Sequence, residues 1–120
     1  MKSVAFKEVK PYQAPKHFGC STLKLQGKEE TGSQTFWMGL SHFLPGGGAE
    51  LDASPVEKVY FVIEGEVTVI TGAKQKIVLK KWDSIHIGPG EEREIVNATN
   101  YPATMLVAIE YPNASAEKKG

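Results

Sequence analysis

Apolar residues alternate with polar ones in short segments along most of the chain, and this period of two residues predicts β-strands. The segments are rich in valine, isoleucine, threonine and aromatic residues, which strands favour. The predicted strands are Thr35 to Leu44, Val59 to Thr71, Lys76 to Leu79, Ser84 to Ile87, Glu94 to Asn97 and Thr104 to Glu110. Glycine and proline clusters separate them, Pro45 to Gly48 among these, so the pattern is typical of an all-β sandwich or barrel.

The two ends of the chain differ from this middle region. Residues 1 to 33 form a predicted N-terminal arm with two weak strand signals, at Val4 to Phe6 and Thr22 to Leu25. Such an arm often covers a sheet edge, frequently that of a neighbouring subunit. Residues 34 to 112 hold the predicted barrel, and residues 113 to 120 are small and polar, which predicts a flexible tail.

Size and charge narrow the classes of function. A chain of 120 residues is long enough for one domain with a proper core. Its 14 basic and 14 acidic residues balance, so no basic excess indicates nucleic acid or an anionic membrane as a partner. Apolar runs such as Val59 to Ile63 are too short to cross a bilayer. The start of the chain has no secretory signal and Cys20 is the single cysteine, so we expect a cytoplasmic protein without an internal disulfide.

Two segments carry a spaced pattern of turn residues. Gly46 to Gly65 resembles the first motif of the cupin family, which reads Gly, five residues, His, one, His, three, Glu, six, Gly. Trp82 to Asn97 resembles the second, which reads Gly, five, Pro, one, Gly, two, His, three, Asn, and it keeps Asp83, Gly90 and Asn97. The resemblance extends over Gln34 to Tyr111. It implies a single cupin barrel, an all-β jelly roll or double-stranded β-helix.

The metal-binding positions of the two cupin motifs are all replaced. In this register they carry Asp52, Ser54, Lys58 and Arg93. One carboxylate, one hydroxyl and two cations do not suit a transition metal, which needs neutral imidazoles and carboxylates. The sequence therefore predicts a barrel with no metal and no other cofactor.

Displacing the ligands by one position does not restore a metal site. Glu57 precedes Lys58, and successive residues of a strand face opposite sides of the sheet, so Glu57 is predicted to point outward. His42 and His86 lie between residues predicted to face inward, and His17 lies in the arm. Each lone histidine is interpreted as a surface or packing residue.

The same alternation predicts which side chains face the barrel interior. The lining is mostly apolar and aromatic with a few polar groups, which is typical of a small-molecule site. The predicted ligand-binding residues are Trp37, Ser41, Phe43, Asp52, Ser54, Tyr60 and Met105. Further interior positions are Gly39, Val62, Ile95, Val107 and Ile109.

Lys58 and Arg93 are the candidate catalytic residues. Two cations in an apolar barrel need a partner, because burying unpaired charge is expensive. Either Asp52 or another acid pairs with them as a structural brace, or an anionic ligand completes the charge balance, with Arg93 binding a carboxylate or phosphate. A desolvated lysine beside an arginine also suits a general base or a Schiff base in an isomerase, lyase or cyclase, whereas a salt-bridged lysine has ordinary chemistry.

Three functions stay open at this point. The first is a metal-independent cupin that binds a small anionic organic molecule, with or without isomerase or lyase activity. The second is a non-enzymatic homodimeric module for sensing or scaffolding, whose barrel Trp37, Phe43, Tyr60 and Met105 would fill. The third is a metal-dependent oxygenase or isomerase rebuilt around Asp52, Glu57 and a histidine. The resemblance also implies a homodimer, and the outward apolar residues Val59, Phe61 and Ile63 need a covering surface.

Overall fold

The structure is a computed structural model that describes residues 1 to 112, so the tail predicted at 113 to 120 lies outside the described residues. A 3-10 helix, Phe6–Glu8, comes first. Nine strands and one short helix follow in this part of the chain: β1 (Lys10–Pro11), β2 (His17–Gln26), α1 (Lys28–Thr31), β3 (Phe36–Asp52), β4 (Lys58–Glu64), β5 (Val67–Thr71), β6 (Lys76–Leu79), β7 (Ser84–Ile87), β8 (Arg93–Val96) and β9 (Ala103–Glu110). The predicted strands from Lys76 onward therefore lie within one residue of the observed ones.

The strands form an antiparallel, nearly closed barrel in the order β6-β5-β8-β3-β9-β4-β7, with β2 added to β3 and β1 added to β2. Strand β3 connects the two halves of the barrel. Its first half, from Phe36 to Phe43, pairs with β9, and its second half, from Gly48 to Asp52, pairs with β8. A strand that turns from one sheet into another in this way makes the corner of a two-layer β-structure. The all-β prediction is confirmed.

The prediction of a turn at Pro45 to Gly48 is wrong, because these residues lie inside β3. They bend the strand instead of ending it. A side chain at Gly47 would come within 2.1 Å of the Gly19 carbonyl oxygen, and one at Gly48 within 1.9 Å of the Ile95 carbonyl oxygen. The two glycines therefore let β2 and β8 approach the corner of β3 from opposite sides.

The arm is also built differently from the prediction. Val4 to Phe6 is not a strand, since the first element is the 3-10 helix at Phe6–Glu8. Thr22 to Leu25 does lie in a strand, but β2 is ten residues long and pairs with β3 of the same chain from Ala49 to Met38. The arm thus covers the outer edge of β3 within its own subunit.

The segment from Val59 to Thr71 divides into two strands at Gly65. This glycine has a φ of 78°, in the left-handed region that residues with a side chain avoid. A side chain there would also lie 2.7 Å from the Pro102 carbonyl oxygen. The glycine that the first cupin motif keeps at this position is therefore required by the turn between β4 and β5.

The core is built from side chains of seven strands, β3 to β9. The largest fully buried apolar ones are Phe43, Val62, Val67, Val69, Ile95 and Met105. Asn97, which has no exposed surface, closes the base of the barrel by donating to the carbonyl oxygens of Phe43 at 3.2 Å and Tyr101 at 2.7 Å.

No helix among residues 1 to 112 has the length and apolar character needed to span a membrane.

Candidate functional site

An open cavity of about 190 Å³ lies in the barrel between the arm and the packed core. At about 30 Å³ for each water molecule, this volume equals that of about six waters, so it suits a small organic molecule. The scaffold alternative requires that Trp37, Phe43, Tyr60 and Met105 fill the barrel. The presence of the cavity shows that they do not fill it.

Most of the predicted site residues line this cavity. The predicted residues found there are Trp37, Ser41, Asp52, Ser54, Lys58, Tyr60, Arg93, Ile95, Met105, Val107 and Ile109. Phe43 is the exception among the predicted ligand-binding residues. It is 1% exposed and packs in the core beneath the cavity, because its position next to the corner of β3 is deeper than that of Ser41. We correct its assignment from ligand binding to packing.

Four residues of the arm form a wall of the cavity. They are Tyr12, Ala14, Pro15 and His17. An arm that covers the sheet edge of a neighbouring subunit would lie outside its own barrel, so the sequence does not predict them as site residues. Pairing of β2 with β3 instead folds the arm over the mouth of its own barrel. The sequence gives only a weak signal of this, the alternation of Tyr12 and Ala14 ahead of a strand.

Arg93 begins β8 and is held in a fixed position. Its Nε donates to the Tyr60 hydroxyl at 2.9 Å, and its Nη1 donates to the Glu50 carbonyl oxygen at 3.1 Å. The residue is 7% exposed. A guanidinium has five N–H donors, so three remain for a ligand.

Lys58 begins β4 and is 6% exposed. Its cross-strand neighbours are the apolar residues Ile87 and Ile109. Burial, together with the positive charge of Arg93, lowers the pKa of Lys58 to about 8, although Asp52 acts in the opposite direction. Near neutral pH the neutral amine form is therefore more populated for Lys58 than for an exposed lysine.

Asp52 does not neutralise either buried cation. It lies opposite Arg93 in the β3–β8 register, yet its carboxylate forms an ion pair with Lys16 of the arm at 3.5 Å. The Ala53 backbone amide, followed by Lys16 and Arg93, lowers the pKa of Asp52, so it stays ionised on the exposed rim of the cavity. In residues 1 to 112, no carboxylate forms an ion pair with Lys58 or Arg93. The brace between Asp52 and these cations is thus not observed.

His17 is a neutral imidazole beside the two cations. Burial, and then the charges of Arg93 and Lys58, lower its pKa, against the opposing effects of the Pro15 carbonyl and Asp52. Its Nδ1 lies 2.8 Å from the Pro15 carbonyl oxygen. Because a carbonyl only accepts, Nδ1 carries the proton and Nε2 keeps a free lone pair.

The remaining polar groups of the cavity are hydroxyls. Burial raises the pKa of Tyr60, against the effect of Arg93, and it raises the pKa of Tyr12 to about 12. Both tyrosines therefore stay protonated near neutral pH. The Ser54 hydroxyl donates to the Val56 carbonyl oxygen at 2.8 Å, which leaves it as an acceptor on the rim.

One wall of the cavity is aromatic. The Tyr12 and Trp37 rings meet edge to face with their centroids 5.3 Å apart. Lys24 lies over the indole at 4.9 Å and fixes its outer side. The cavity therefore has an apolar aromatic side and a cationic end, which together orient a ligand with unlike ends.

The other candidate ligands lie outside the cavity. His86 binds Glu57 at 2.9 Å on the exposed face of β4 and β7, and His42 contacts the Thr104 hydroxyl at 3.1 Å. Cys20 packs against the core from β2, and burial raises the pKa of its thiol, so it is a poor nucleophile. Asp52, Glu57 and a histidine do not meet, contrary to the rebuilt metal site considered above.

The donor set does not fit a divalent metal ion. Of the four positions that the cupin motifs give to ligands, two carry cations, and Asp52 pairs with Lys16. Among the described side chains, no three from His, Cys, Asp or Glu are grouped closely enough to hold an ion. Apart from the Asp52 carboxylate at the rim, the ionisable and hydroxyl groups that the cavity offers to a ligand are an amine, a guanidinium, an imidazole and hydroxyls.

The comparison with protein families decides the classification. The cupin domain family matches residues 39 to 109, which include both motifs. This chain belongs to the cupin family. The jelly-roll, double-stranded β-helix prediction is thereby confirmed for the barrel.

One curated relative and two solved structures are similar to this chain. A protein described as a beta-D-galactosidase from Mycobacterium tuberculosis (strain ATCC 25618 / H37Rv) is 40% identical over 114 residues, 95% of this chain and 97% of that protein. A polyketide cyclase from Streptomyces resistomycificus has a TM-score of 0.81 at 20% identity, over 92% of this chain and 79% of that chain. A sugar phosphate isomerase of the cupin superfamily from Silicibacter pomeroyi has a TM-score of 0.75 at 19% identity, over 92% and 76%. These two structures show the fold alone.

Proposed function

We propose that this cupin binds a small anionic organic molecule, a carboxylate or a phosphate, in the cavity of its barrel without the help of a metal. The observation that carries the proposal is the pair of buried cations, Lys58 and Arg93, which face one cavity and lack an ion-pair partner among residues 1 to 112.

The charge arrangement favours an anion over a neutral ligand. Two like charges at the end of an apolar barrel raise each other's free energy, and that energy is recovered when an anion binds between them. Arg93 keeps three free donors in a planar fork and Lys58 has three, so both oxygens of a carboxylate can be bound. Asp52 lies on the rim and is held there by Lys16, so it leaves the cationic end accessible.

The aromatic wall adds a requirement on the rest of the ligand. Trp37 and Tyr12 offer an apolar surface, and the hydroxyls of Tyr60 and Ser41 offer hydrogen bonds. A sugar acid, a sugar phosphate or an oxo acid meets both requirements. Lys58 and Arg93 remain the candidate catalytic residues for isomerase or lyase chemistry on such a ligand.

The test is a thermal-shift screen of small carboxylates and sugar phosphates, which includes D-galacturonate and D-galactose as a pair that differ in charge. We expect galacturonate-type anions to raise the melting temperature of the wild type and of Lys76→Met, which removes an exposed lysine of β6. Lys58→Met should abolish the response. Equal responses to the charged and neutral sugar, or an unchanged response in Lys58→Met, would reject the proposal.

A second candidate function is the hydrolysis of a β-D-galactoside, which the relative with 40% identity suggests. Glycosidases ordinarily use two carboxylates on either side of the scissile bond. Asp52 is the single carboxylate among the described residues that line the cavity, so this candidate stands second. Release of p-nitrophenol from p-nitrophenyl β-D-galactopyranoside that disappears in Asp52→Asn would promote it. The absence of release would remove it.

A further inference from the structure

The Lys58 amine has the surroundings of a nucleophile. Its neighbours across β7 and β9 are Ile87 and Ile109, and the side chain opens into the cavity. No hydrogen bond or ion pair in the described part of the chain holds it. A lysine that is desolvated next to another cation keeps a free lone pair more often than a surface lysine does.

The charged and titratable groups around this amine come from three other elements. Arg93 of β8 disfavours the ammonium form, and Asp52 of β3 favours it from the rim. His17 of β2 is neutral, so it adds no charge. The balance lowers the pKa of Lys58 from 10.5, the ordinary value for lysine, to about 8.

Arg93 places an anionic group next to this amine. Its Nε and Nη1 are bound by Tyr60 and Glu50, so the guanidinium cannot swing away, and its remaining donors are available for a carboxylate. A ligand whose carbonyl is adjacent to its carboxylate then brings its carbonyl carbon towards the neighbouring side chain, Lys58.

We propose that Lys58 forms an imine with the carbonyl group of a 2-oxo acid whose carboxylate is bound by Arg93. This inference rests on the proposed function, because it requires that Arg93 bind the carboxylate of the ligand. It extends that function from binding to covalent chemistry, and it assigns 2-oxo acids as the substrate class.

The reaction balances with the groups present. The Nζ lone pair forms a C–N bond to the carbonyl carbon, and the C=O π pair moves to the oxygen, which takes up a proton and gives a carbinolamine. The hydroxyl then leaves with a second proton as water while the nitrogen lone pair forms the C=N bond. Both protons come from the amine. Nε2 of His17, with its lone pair, accepts the first from the nitrogen and passes it to the oxygen, then accepts the second and passes it to the departing hydroxyl, which leaves a neutral imine.

The imine is tested by trapping with pyruvate and sodium borohydride, followed by intact mass measurement and peptide mapping. We expect one reduced pyruvate adduct on Lys58, at least about tenfold above any surface lysine, because its lower pKa exposes more free amine at pH 7. Lys76→Met should give the same yield as the wild type. Lys58→Met and Lys58→Arg, which keeps the charge, should give none.

Lactate serves as the matched ligand without a carbonyl. It should bind in calorimetry, give no adduct with borohydride, and suppress the pyruvate adduct. Lactate binding without any pyruvate adduct would reject the imine and leave the anion pocket standing. If neither compound binds, the imine with a 2-oxo acid is rejected, and the thermal-shift screen decides the proposed function separately. An adduct spread evenly over the lysines, or retained in Lys58→Met, would also overturn the inference.

Discussion

At the scale of one residue, a substitution of Lys58 tests whether this side chain is a structural brace or a binding group. A buried cation without an ion-pair partner destabilises the folded state, and an apolar side chain of similar size relieves that cost. We predict that Lys58→Met raises the free energy of unfolding by about 1–3 kcal/mol at pH 7, measured by urea denaturation, while anion binding is lost.

The opposite result has a clear meaning. Breaking a buried ion pair by removing one partner costs about 3–5 kcal/mol. A loss of that size in Lys58→Met would show that Lys58 is paired in solution and braces the barrel.

The pH dependence of stability follows from the lowered pKa of Lys58. Between pH 8 and the ordinary lysine range, the unfolded lysine holds a proton that the folded one has released. The contribution of this residue to stability therefore rises with pH across that window. We predict that the difference in unfolding free energy between Lys58→Met and the wild type narrows from pH 7 to pH 10, measured by denaturation at each pH.

Tyr60 is predicted to position Arg93. Its hydroxyl accepts from Arg93 Nε at 2.9 Å, so Tyr60→Phe leaves that donor without its partner and frees the guanidinium. We expect anion affinity to fall by about fivefold to tenfold, the size of one hydrogen bond of about 1 kcal/mol, in calorimetric titration. Tyr101→Phe, which changes an exposed tyrosine on the 97–102 loop, is the control and should bind like the wild type. Equal affinity in the two variants would contradict the positioning role.

At the scale of the strands, the shape of the cavity depends on the corner of β3. Strand β3 supplies Trp37 and Ser41 before the corner and Asp52 after it, so both halves of the cavity depend on this bend. We predict that Gly48→Ala lowers the free energy of unfolding by at least about 2 kcal/mol, because its methyl group would overlap the Ile95 carbonyl. Gly88→Ala meets only the flexible Glu91 side chain, at 3.1 Å, and should change stability much less. Similar losses in the two variants, measured by urea denaturation, would contradict this account of the corner.

The sequence was sufficient for the strands whose two faces differ in polarity. Alternation in β4 identified Lys58 and Tyr60 as inward and Glu57 as outward, and the structure shows this arrangement. It could not identify the corner, since Pro45 to Gly48 has the composition of a turn. These glycines could either end a strand or let two neighbouring strands approach. Which of the two occurs depends on contacts with Gly19 and Ile95, which are distant in sequence.

The position of the arm also depends on contacts that are distant in sequence, which local pattern does not predict. Tyr12 and His17 reach the cavity because β2 pairs with β3 of its own chain, and register of this kind is decided by long-range pairing. Trp82 is another case. It occupies the glycine position of the second motif with a φ of 76°, which local pattern alone does not explain, and its ring packs on Phe61 at 5.8 Å.

At the scale of the whole molecule, the outer face of the barrel formed by β2, β3, β9 and β4 stays partly apolar. Leu23, Leu40, Leu106 and Phe61 lie in one cross-strand row, and Val59 beside them is 40% exposed. We propose that two copies of the chain cover this face by forming a homodimer. Light scattering after gel filtration should give a dimer for the wild type and for Val78→Lys, which lies on β6, and a monomer for Phe61→Lys. A wild-type monomer at micromolar concentration would contradict this proposal.

The central claim is that an anion binds between Lys58 and Arg93, and proton uptake on binding tests it most directly. Near pH 8 both forms of Lys58 are populated, and a bound anion that has no carbonyl group favours the ammonium form. Calorimetric titration with lactate or another anion that has no carbonyl group, in two buffers of different ionisation enthalpy, should show net uptake of protons on binding. This uptake should be lost in Lys58→Met and retained in Lys76→Met. Binding without proton uptake, and with the same affinity in Lys58→Met, would place the anion elsewhere and contradict the account.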